Sequence, residues 1–191
     1  MKIYLASTSP RRKELFANIV KEFEIKESNF NEDSIKYKSP KMLVKVLSTE
    51  KCKAVFDNLN EEVCVIGADT VVCVANQILG KPKDEEDAKK MLKMLSGTSH
   101  KVLTGVCVMI SDNETQTKIN FTTSSTVFFR EIGNDEIEEY VKTNEPFGKA
   151  GGYAIQGIAG KFVEKINGSF HNIVGLPIAQ LYKVLKEEQI I

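Results

Sequence analysis

The chain has 191 residues, of which 42% are hydrophobic and 27% are charged, a length and composition that predict one folded domain over 1–191 and argue against wholesale disorder. The 26 basic and 26 acidic residues cancel to a net charge of zero, which argues against binding of a nucleic acid polymer. No stretch approaches the roughly 20 apolar residues of a membrane span, and the apolar stretch 1–6 is too short for a signal peptide. We therefore expect a cytoplasmic protein with no nucleic acid polymer and no membrane as partner.

Two predicted helices begin with a serine followed by a proline, because serine caps a helix and proline fits its first position. The first helix follows a short strand over 2–6, has Ser9 as its N-cap and continues through Phe16. The second has Ser39 as its N-cap. Its apolar line at helical spacing is Leu43, Leu47 and Val55.

The middle of the chain contains two apolar segments, 63–66 and 71–74, which predict a buried strand around a polar insert over 67–70. A third helix begins after its N-cap Asp84 and ends near Gly97. The remaining predicted elements are a turn at 76–77, strands over 101–110, 121–129 and 161–166, and helices over 134–142 and 177–188. Because strands and helices interleave, the predicted class is α/β or α+β with a mixed sheet.

Glycines are concentrated between 145 and 160, at positions 148, 151, 152, 157 and 160. In an otherwise ordered chain this density predicts a loop that lines a site, with a flexible linker as the alternative.

The cysteines and histidines predict no metal site of their own. The four cysteines show no C-x-x-C spacing, so we expect buried or free thiols rather than a disulfide framework or a zinc site. The two histidines are too few for a histidine-rich site. They are interpreted as structural residues.

Arg11 and Arg12 follow Ser9 and Pro10, in the first turn of the first predicted helix. Cations at that end oppose the helix dipole by about 0.3–1 kcal/mol each. Two guanidinium groups beside helix N–H groups become favourable if an anion such as a phosphate docks there. A pair of solvated arginines is the alternative.

Asp69 and Lys51 are charged residues in apolar surroundings. An unpaired carboxylate buried at Asp69 would be costly, so we expect it to face a cleft as a metal ligand, a general base or both. An aspartate that bonds to its own backbone in a tight turn is the alternative. Lys51 continues the apolar line of the second helix, so it either extends to solvent or reaches an anion at the helix edge.

Three further polar residues lie in predicted loops. Lys81 precedes Pro82 on a stiff loop and is either an anion ligand or an ordinary surface lysine. Glu32 lies in a polar connection, where it either is solvated or joins Asp69 around a hard divalent cation. Gln156 lies among the glycines, where its amide either is a surface group or forms hydrogen bonds with the edge of a nucleotide base.

Taken together, these residues include four cations and two or three acids beside a glycine-rich wall, without a nucleophile–histidine pair. This set suits phosphate-anhydride chemistry assisted by a divalent metal. The sequence lacks G-x-x-x-x-G-K-[ST] and lacks G-x-G-x-x-G after a strand, which disfavours a P-loop NTPase or a kinase.

Several motifs occur together in the order and spacing of a known family. They are Leu5-Ala6-Ser7-Thr8-Ser9-Pro10-Arg11-Arg12, Gly67-Ala68-Asp69-Thr70-Val71, Gly80-Lys81-Pro82, Leu95-Ser96-Gly97, Thr104-Gly105-Val106, Glu145-Pro146, the stretch from Lys149 to Gly157, and Val174-Gly175-Leu176-Pro177. Over 2–187 the chain therefore resembles the Maf family of nucleoside triphosphate pyrophosphatases.

The resemblance implies a curved mixed β-sheet flanked by helices, with two lobes around a cleft, in a chain that is often a homodimer. It implies hydrolysis of a nucleoside triphosphate to the monophosphate and pyrophosphate, with Mg²⁺ or Mn²⁺ as cofactor. Arg11, Thr70 and Gln156 resemble the branch that acts on dTTP and UTP. Modified pyrimidine triphosphates are further candidate substrates, and housekeeping of the nucleotide pool is the expected task.

The resemblance also implies roles for individual residues. Asp69 is expected to activate water, Lys51 and Lys81 to bind phosphate, and Glu32 to bind the metal together with Asp69. The expected anion site is Ser7, Arg11 and Arg12.

Two other functions stay open at this point. A regulator linked to division control would bind a pyrimidine nucleotide without turning it over. A phosphatase acting on another phosphorylated metabolite would release inorganic phosphate instead of pyrophosphate.

Overall fold

The computed structural model describes residues 1–30, 39–112 and 115–191. The helices within these ranges are α1 (Pro10–Ala17), α2 (Pro40–Phe56), α3 (Glu85–Leu95), α4 (Asn134–Lys142), α5 (Phe170–Val174) and α6 (Ile178–Glu187). The strands are β1 (Lys2–Leu5), β2 (Glu24–Ile25), β3 (Val63–Val74), β4 (Gln77–Leu79), β5 (Ser99–Ser111), β6 (Gln116–Phe129) and β7 (Val163–Asn167). Two short 3₁₀ turns span Ala150–Gly152 and Ile158–Phe162. None of the helices just given is both long and apolar enough to cross a bilayer.

The seven strands found in the described ranges form one mixed sheet in the order β2-β1-β3-β5-β6-β7, with β4 paired to β3. β1 runs parallel to both of its neighbours, with Leu5 opposite Ile25 of β2 and Ile66 of β3. The pairs β3–β4 and β6–β7 are antiparallel. This sheet and the helices between its strands confirm the predicted α/β class with a mixed sheet.

The chain divides into two compact units. The first comprises Met1–Asp69, Thr104–Thr123 and Gly175–Ile191, and the second comprises Thr70–Leu103 and Ser124–Val174. The long strand β3 passes from the first unit into the second between Asp69 and Thr70. The expectation of a single domain over 1–191 stays a prediction.

Each unit buries an apolar core of its own. The cluster in the first unit joins α2 to three strands and consists of Tyr4, Ala6, Cys52, Val55, Phe56, Val63, Val65 and Cys107. The larger cluster in the second unit includes the inner faces of α3 and α4 and the ring-bearing residues Phe129, Tyr140, Tyr153 and Phe162. Three of the ring pairs in this second cluster have centroids 4.9, 5.4 and 6.2 Å apart, in the tilted and edge-on geometries that aromatic rings prefer.

Two of the three predicted N-caps make the expected hydrogen bond. Ser39 Oγ accepts from the Met42 N–H at 3.2 Å, and Asp84 Oδ1 accepts from the Asp87 N–H at 2.8 Å. α2 and α3 therefore begin where the sequence predicts. Ser9 is the N-cap residue of α1, but its side chain makes no capping bond.

The prediction of a polar insert over 67–70 is wrong, because β3 is continuous from Val63 to Val74. The chain reverses after this strand, at Ala75 and Asn76, where φ is 46° and 64°. Positive φ at both central residues is typical of the tight turns that join antiparallel strands. The turn thus lies one residue before the predicted position.

The other predicted elements are confirmed, with shifted ends. α4 has the predicted bounds, whereas β5 and β6 extend beyond 101–110 and 121–129. α5 has no counterpart among the predicted helices, because its five residues are too few to show a periodic apolar pattern.

The four cysteines are free thiols, as predicted, and three of them are buried. Cys52 Sγ donates to the Val65 carbonyl at 3.1 Å, and burial raises the pKa of this thiol well above its ordinary value. Burial also raises the pKa of the Cys64 thiol to about 12. Cys73 is partly exposed.

Candidate active site

Asp69 and Lys51 form a buried ion pair in the first unit. Lys51 Nζ donates to Asp69 Oδ1 at 2.5 Å, and only 13% of the lysine side chain and 10% of the aspartate side chain are exposed. Asp69 lies within the continuous strand β3 rather than in a tight turn, and the lysine reaches an anion rather than extending to solvent. A charge buried to this degree requires such a partner.

Two glycines let the backbone of α2 approach the sheet and so bring Lys51 to Asp69. A Cβ at Gly67 of β3 would lie 2.4 Å from the Ser48 carbonyl oxygen. A Cβ at Gly105 of β5 would lie 2.2 Å from the Val44 carbonyl oxygen. Because β3 and β5 are neighbours in the sheet, α2 rests on a surface without side chains at these two points.

Ser7 and Arg12 form a second cluster in the first unit. Arg12 donates through Nη1 to Ser7 Oγ at 3.4 Å and through Nε to the Gly175 carbonyl at 2.9 Å. Ser7 is buried, and its hydroxyl oxygen also accepts from the Ser9 N–H at 3.3 Å. The structure thus brings two of the predicted anion-binding residues together and adds a carbonyl that orients the guanidinium. Arg11 lies half-buried in the same helical turn.

The N-terminus of α1 keeps the features of an anion site. Ser9 does not cap the helix, and the first turn holds no acidic residue. The Ala6 N–H donates to the Ile66 carbonyl at 2.8 Å, so the segment before α1 runs beside β3 up to the residues that precede Asp69. Ligands of α/β proteins bind at this carboxyl edge of parallel strands, where helices begin.

Thr70 and Lys81 belong to the second unit. Thr70 follows Asp69 in β3 and is half-buried, and its side chain leaves the opposite face of the strand because successive strand residues alternate. Lys81 is exposed in the loop between β4 and α3. The Gly80 carbonyl accepts from the Gly151 N–H at 2.9 Å, which ties this loop to the glycine-rich segment.

The glycine-rich segment over 145–160 is a folded loop, so the linker alternative is wrong. The Ala154 carbonyl accepts from the Gly157 N–H at 3.0 Å, which makes Gln156 the third residue of a tight turn. Gln156 is exposed, whereas Gly151 is buried.

Glu145 is a candidate functional residue to which the sequence alone assigns no role. Its carboxylate accepts from the Ile158 N–H at 2.8 Å and from the Ala159 N–H at 3.2 Å. The Tyr140 hydroxyl donates to the same carboxylate at 3.0 Å. The sequence signal is an acid directly before Pro146 at the start of the glycine cluster, but backbone partners leave no side-chain pattern that predicts these bonds.

His100 and Tyr153 form a buried polar contact in the second unit, with His100 Nε2 and Tyr153 Oη 2.7 Å apart. Burial lowers the pKa of His100 to about 4 and raises the pKa of Tyr153, so both groups are neutral near pH 7. Phe129 packs edge-on against both rings, at 4.9 Å in each case. The histidine is therefore structural, as predicted, and it fixes Tyr153 within the glycine-rich loop.

The candidate metal ligands are described only in part. Glu32, the second predicted ligand, lies outside the described residues. Within 1–30, 39–112 and 115–191, no three side chains of His, Cys, Asp or Glu lie close enough together to hold a metal ion. Asp69 supplies a carboxylate, which is the hard oxygen donor that Mg²⁺ and Mn²⁺ prefer, so its chemistry fits a divalent cation.

Comparison with known proteins yields relatives along the whole chain. The family model for Maf-like proteins matches residues 2–188. The dTTP/UTP pyrophosphatase of Clostridium perfringens (strain SM101 / Type A) is 45% identical over 191 residues, which cover 100% of this chain and 98% of that protein. The dTTP/UTP pyrophosphatase of Clostridioides difficile (strain 630) is 48% identical over 187 residues, which cover 98% of this chain and 95% of that protein.

A solved structure shares the fold at low sequence identity. The Staphylococcus aureus Ham1 protein aligns with a TM-score of 0.55 and 15% identity, over 98% of this chain and 100% of that one. At this identity the likeness extends to the architecture alone.

Proposed function

This chain belongs to the Maf family, and from that premise we propose that it is a dTTP/UTP pyrophosphatase. The reaction is hydrolysis of the bond between the α and β phosphates, which releases dTMP or UMP and pyrophosphate. The relatives that carry this name match the chain from end to end. The observation that carries the mechanism is the buried pair of Lys51 and Asp69, 2.5 Å apart.

Asp69 is proposed as the general base. A carboxylate has two oxygens, so that one accepts from Lys51 while the other takes the proton of the attacking water. Lys51 holds the carboxylate in one orientation. Because an ammonium group has three donors, Lys51 is also suited to bind a phosphate oxygen while it keeps the contact with Asp69.

The proposed cofactor is Mg²⁺ or Mn²⁺, held by Asp69 and Glu32. When bound, the cation would supply positive charge to the triphosphate and to the leaving pyrophosphate. The support on this chain is the hard oxygen donor of Asp69.

The proposed phosphate ligands are cations and one hydroxyl. Ser7, Arg11 and Arg12 stand at the uncapped N-terminus of α1, where helix N–H groups and guanidinium groups favour an anion. The exposed Lys81 is proposed as a further phosphate ligand. The cations lower the barrier by neutralising charge that develops on the phosphates in the transition state.

Selectivity for a pyrimidine base is proposed to depend on Arg11, Thr70 and Gln156. A glutamine amide both donates and accepts, as a reader of the thymine or uracil edge requires. The cytoplasm as location and a homodimer as assembly are part of the same proposal, and both are supported by the resemblance to the family.

A product assay tests the proposal. The purified protein and its Asp69→Asn variant are incubated with Mg²⁺ or Mn²⁺ and a panel of nucleoside triphosphates, and the products are separated. We expect pyrophosphate with dTMP or UMP from the wild type, and a rate about 10³-fold lower from the variant because a general base contributes on this order. Asp135→Asn, which removes an exposed acid of α4, is the matched control.

Each alternative function gives a different result in this assay. Inorganic phosphate without pyrophosphate indicates a phosphatase. Tight binding of dTTP without any turnover indicates a regulator, and it contradicts the assignment of Asp69 as a base.

A further inference from the structure

We propose that Glu145 is a positioning residue that fixes Gln156 by fastening the two ends of the glycine-rich loop together. Glu145 opens this loop, and its carboxylate binds backbone groups that close it. The inference rests on the proposed function, because it takes Gln156 to be the residue that reads the base of the nucleotide.

The carboxylate of Glu145 binds two consecutive backbone amides at the far end of the loop. Oε2 accepts from the Ile158 N–H at 2.8 Å, and Oε1 accepts from the Ala159 N–H at 3.2 Å. Oε1 also accepts from the Tyr140 hydroxyl at 3.0 Å. Bonds to a charged acceptor are stronger than bonds between neutral groups, so these three donors hold the carboxylate and the end of the loop in one arrangement.

Gly157 provides the space that this contact needs. A Cβ at Gly157 would lie 2.4 Å from each of the two carboxylate oxygens of Glu145. The backbone here has an ordinary φ of −105°, so the glycine is needed for room and not for an unusual conformation. The carboxylate therefore lies directly against the residue that follows Gln156.

Gln156 is held between two fixed points of the loop. After it, the Gly157 N–H closes the turn on the Ala154 carbonyl at 3.0 Å, and the next amide belongs to the Glu145 contact. Before it, Tyr153 contacts the buried His100 at 2.7 Å. Gln156 is itself exposed, so its backbone position is set by these flanking contacts rather than by packing of its own side chain.

When the loop already holds Gln156 in place, binding of a base costs little conformational entropy in the loop. Ordering a flexible segment on binding lowers affinity, and a segment that is already ordered avoids this loss. Weakening the Glu145 contact should therefore act on nucleotide binding and on base selectivity, and should act only through Gln156. The phosphate chemistry, which this residue does not touch, should proceed at nearly the same rate.

The test is a double-mutant cycle between Glu145 and Gln156. Glu145→Gln keeps the size of the side chain but places an NH₂ group where an oxygen accepted a backbone N–H. We expect kcat/KM for dTTP to fall about tenfold, mostly through KM, which is the loss typical of a charged hydrogen bond. The preference for dTTP over dCTP should fall by a similar factor. Glu139→Gln, an exposed acid of α4, is the control and should match the wild type.

The cycle separates a positioning role from a merely structural one. If Glu145 acts through Gln156, the tenfold loss should shrink to less than about twofold in the Gln156→Ala background, since interacting residues are not additive. Glu145→Asp, which retains the charge, should recover part of the dTTP preference. Equal losses in both backgrounds, or a loss confined to kcat, would overturn the proposal.

A second variant and a binding assay keep the test decisive. If Glu145→Gln does not fold, Tyr140→Phe removes only the hydroxyl donor and should give a smaller change in the same direction and the same non-additivity. Should the wild type produce no pyrophosphate, the proposed reaction fails, and the cycle is measured on the Kd of dTTP instead. Additive effects on that Kd, or no binding of dTTP at all, would overturn the role of Glu145.

Discussion

The two units each hold a carboxylate contact at a candidate functional position, buried at Asp69 and half-buried at Glu145, and they give the two carboxylates different partners. In the first unit Asp69 pairs with a side chain, the ammonium of Lys51. In the second unit Glu145 binds backbone amides of its own loop. The lysine belongs to a different element, α2, whereas the amides belong to the loop that Glu145 itself begins. Backbone amides do not move without the loop.

This difference corresponds to the two roles that we propose, a general base at Asp69 and a positioning residue at Glu145. Asp69 Oδ1 accepts from the Lys51 ammonium, and in the proposed mechanism this carboxylate takes the proton of the attacking water. Glu145 has both oxygens engaged by fixed donors and serves to hold a loop. In this proposal the partners of each carboxylate, rather than the type of acid, distinguish the two roles.

The largest expected effect comes from removing the lysine partner in the first unit. Lys51→Met leaves Asp69 buried without this partner, so we expect the free energy of unfolding to fall by about 3 kcal/mol. The turnover of dTTP should fall by about 100-fold or more, as when a charge that stabilises the transition state is removed. Urea denaturation and the pyrophosphate assay measure the two effects.

Lys81→Met in the second unit is the matched comparison, because Lys81 is exposed. It should reduce turnover while it changes the free energy of unfolding by less than about 0.5 kcal/mol. The double variant Lys51→Met/Asp69→Asn should recover most of the lost stability and none of the activity. A Lys51→Met protein as stable as the wild type would contradict the buried pair.

The next effect concerns the glycines beneath α2. Gly67→Ala places a Cβ against the backbone of α2, where the Ser48 carbonyl is 2.4 Å away, so we expect a loss of about 3 kcal/mol and a displaced Lys51. Gly80→Ala is the control, because nothing lies within 4 Å of the added Cβ, and its change should stay within about 0.5 kcal/mol. If thermal and urea unfolding rank the two variants equally, the close approach of α2 is wrong.

A smaller effect should follow pH through His100. Burial lowers the pKa of His100 to about 4, from an ordinary 6.5, so the unfolded chain binds more protons between these two pH values. The stabilising contribution is therefore complete above pH 6.5 and is lost as the pH falls towards 4, at up to about 1.4 kcal/mol per pH unit.

The comparison with His100→Gln isolates this contribution. Between pH 6.5 and 5 the free energy of unfolding of the wild type should fall by about 1–2 kcal/mol more than that of the variant. Urea denaturation at several pH values measures both slopes. Parallel slopes would show that the histidine gains a proton in the folded state as readily as in the unfolded one.

The smallest expected change in the free energy of unfolding concerns the N-cap residues of α3 and α1. Asp84 caps α3 in the second unit with a bond of 2.8 Å, so Asp84→Ala should lower the free energy of unfolding by about 1 kcal/mol. Ser9 makes no capping bond at α1, so Ser9→Ala should cost about a few tenths of a kcal/mol at most. A greater loss at Ser9 in the absence of nucleotide would show that α1 is capped by its own serine.

Local rules in the sequence predict much of this fold. Ser39 and Asp84 satisfy helix N–H groups within three residues of themselves, and such contacts are encoded in short patterns. α4 likewise occupies its predicted bounds because it combines a first turn of acids with an amphipathic pattern.

The features that could not be predicted from the sequence depend on contacts between residues that are distant in the chain. Gly67 suggests a break in the strand when it is read locally, yet it is a strand residue whose missing side chain admits α2. Helical periodicity leaves Lys51 either extending to solvent or reaching an anion, and only the tertiary fold pairs it with Asp69. Glu145 remains without a role because its partners are backbone amides thirteen and fourteen residues further on.

The buried thiol of Cys52 is a chemical probe of local opening in the first unit. This residue follows Lys51 in α2, is fully buried, and donates from Sγ to the Val65 carbonyl of β3. Only an ionised, accessible thiol is alkylated, and burial disfavours both conditions. The rate of alkylation at Cys52 therefore reports the opening of α2 away from the sheet. If a nucleotide binds to Lys51, it should lower the alkylation rate of Cys52 and leave the rate of the partly exposed Cys73 unchanged.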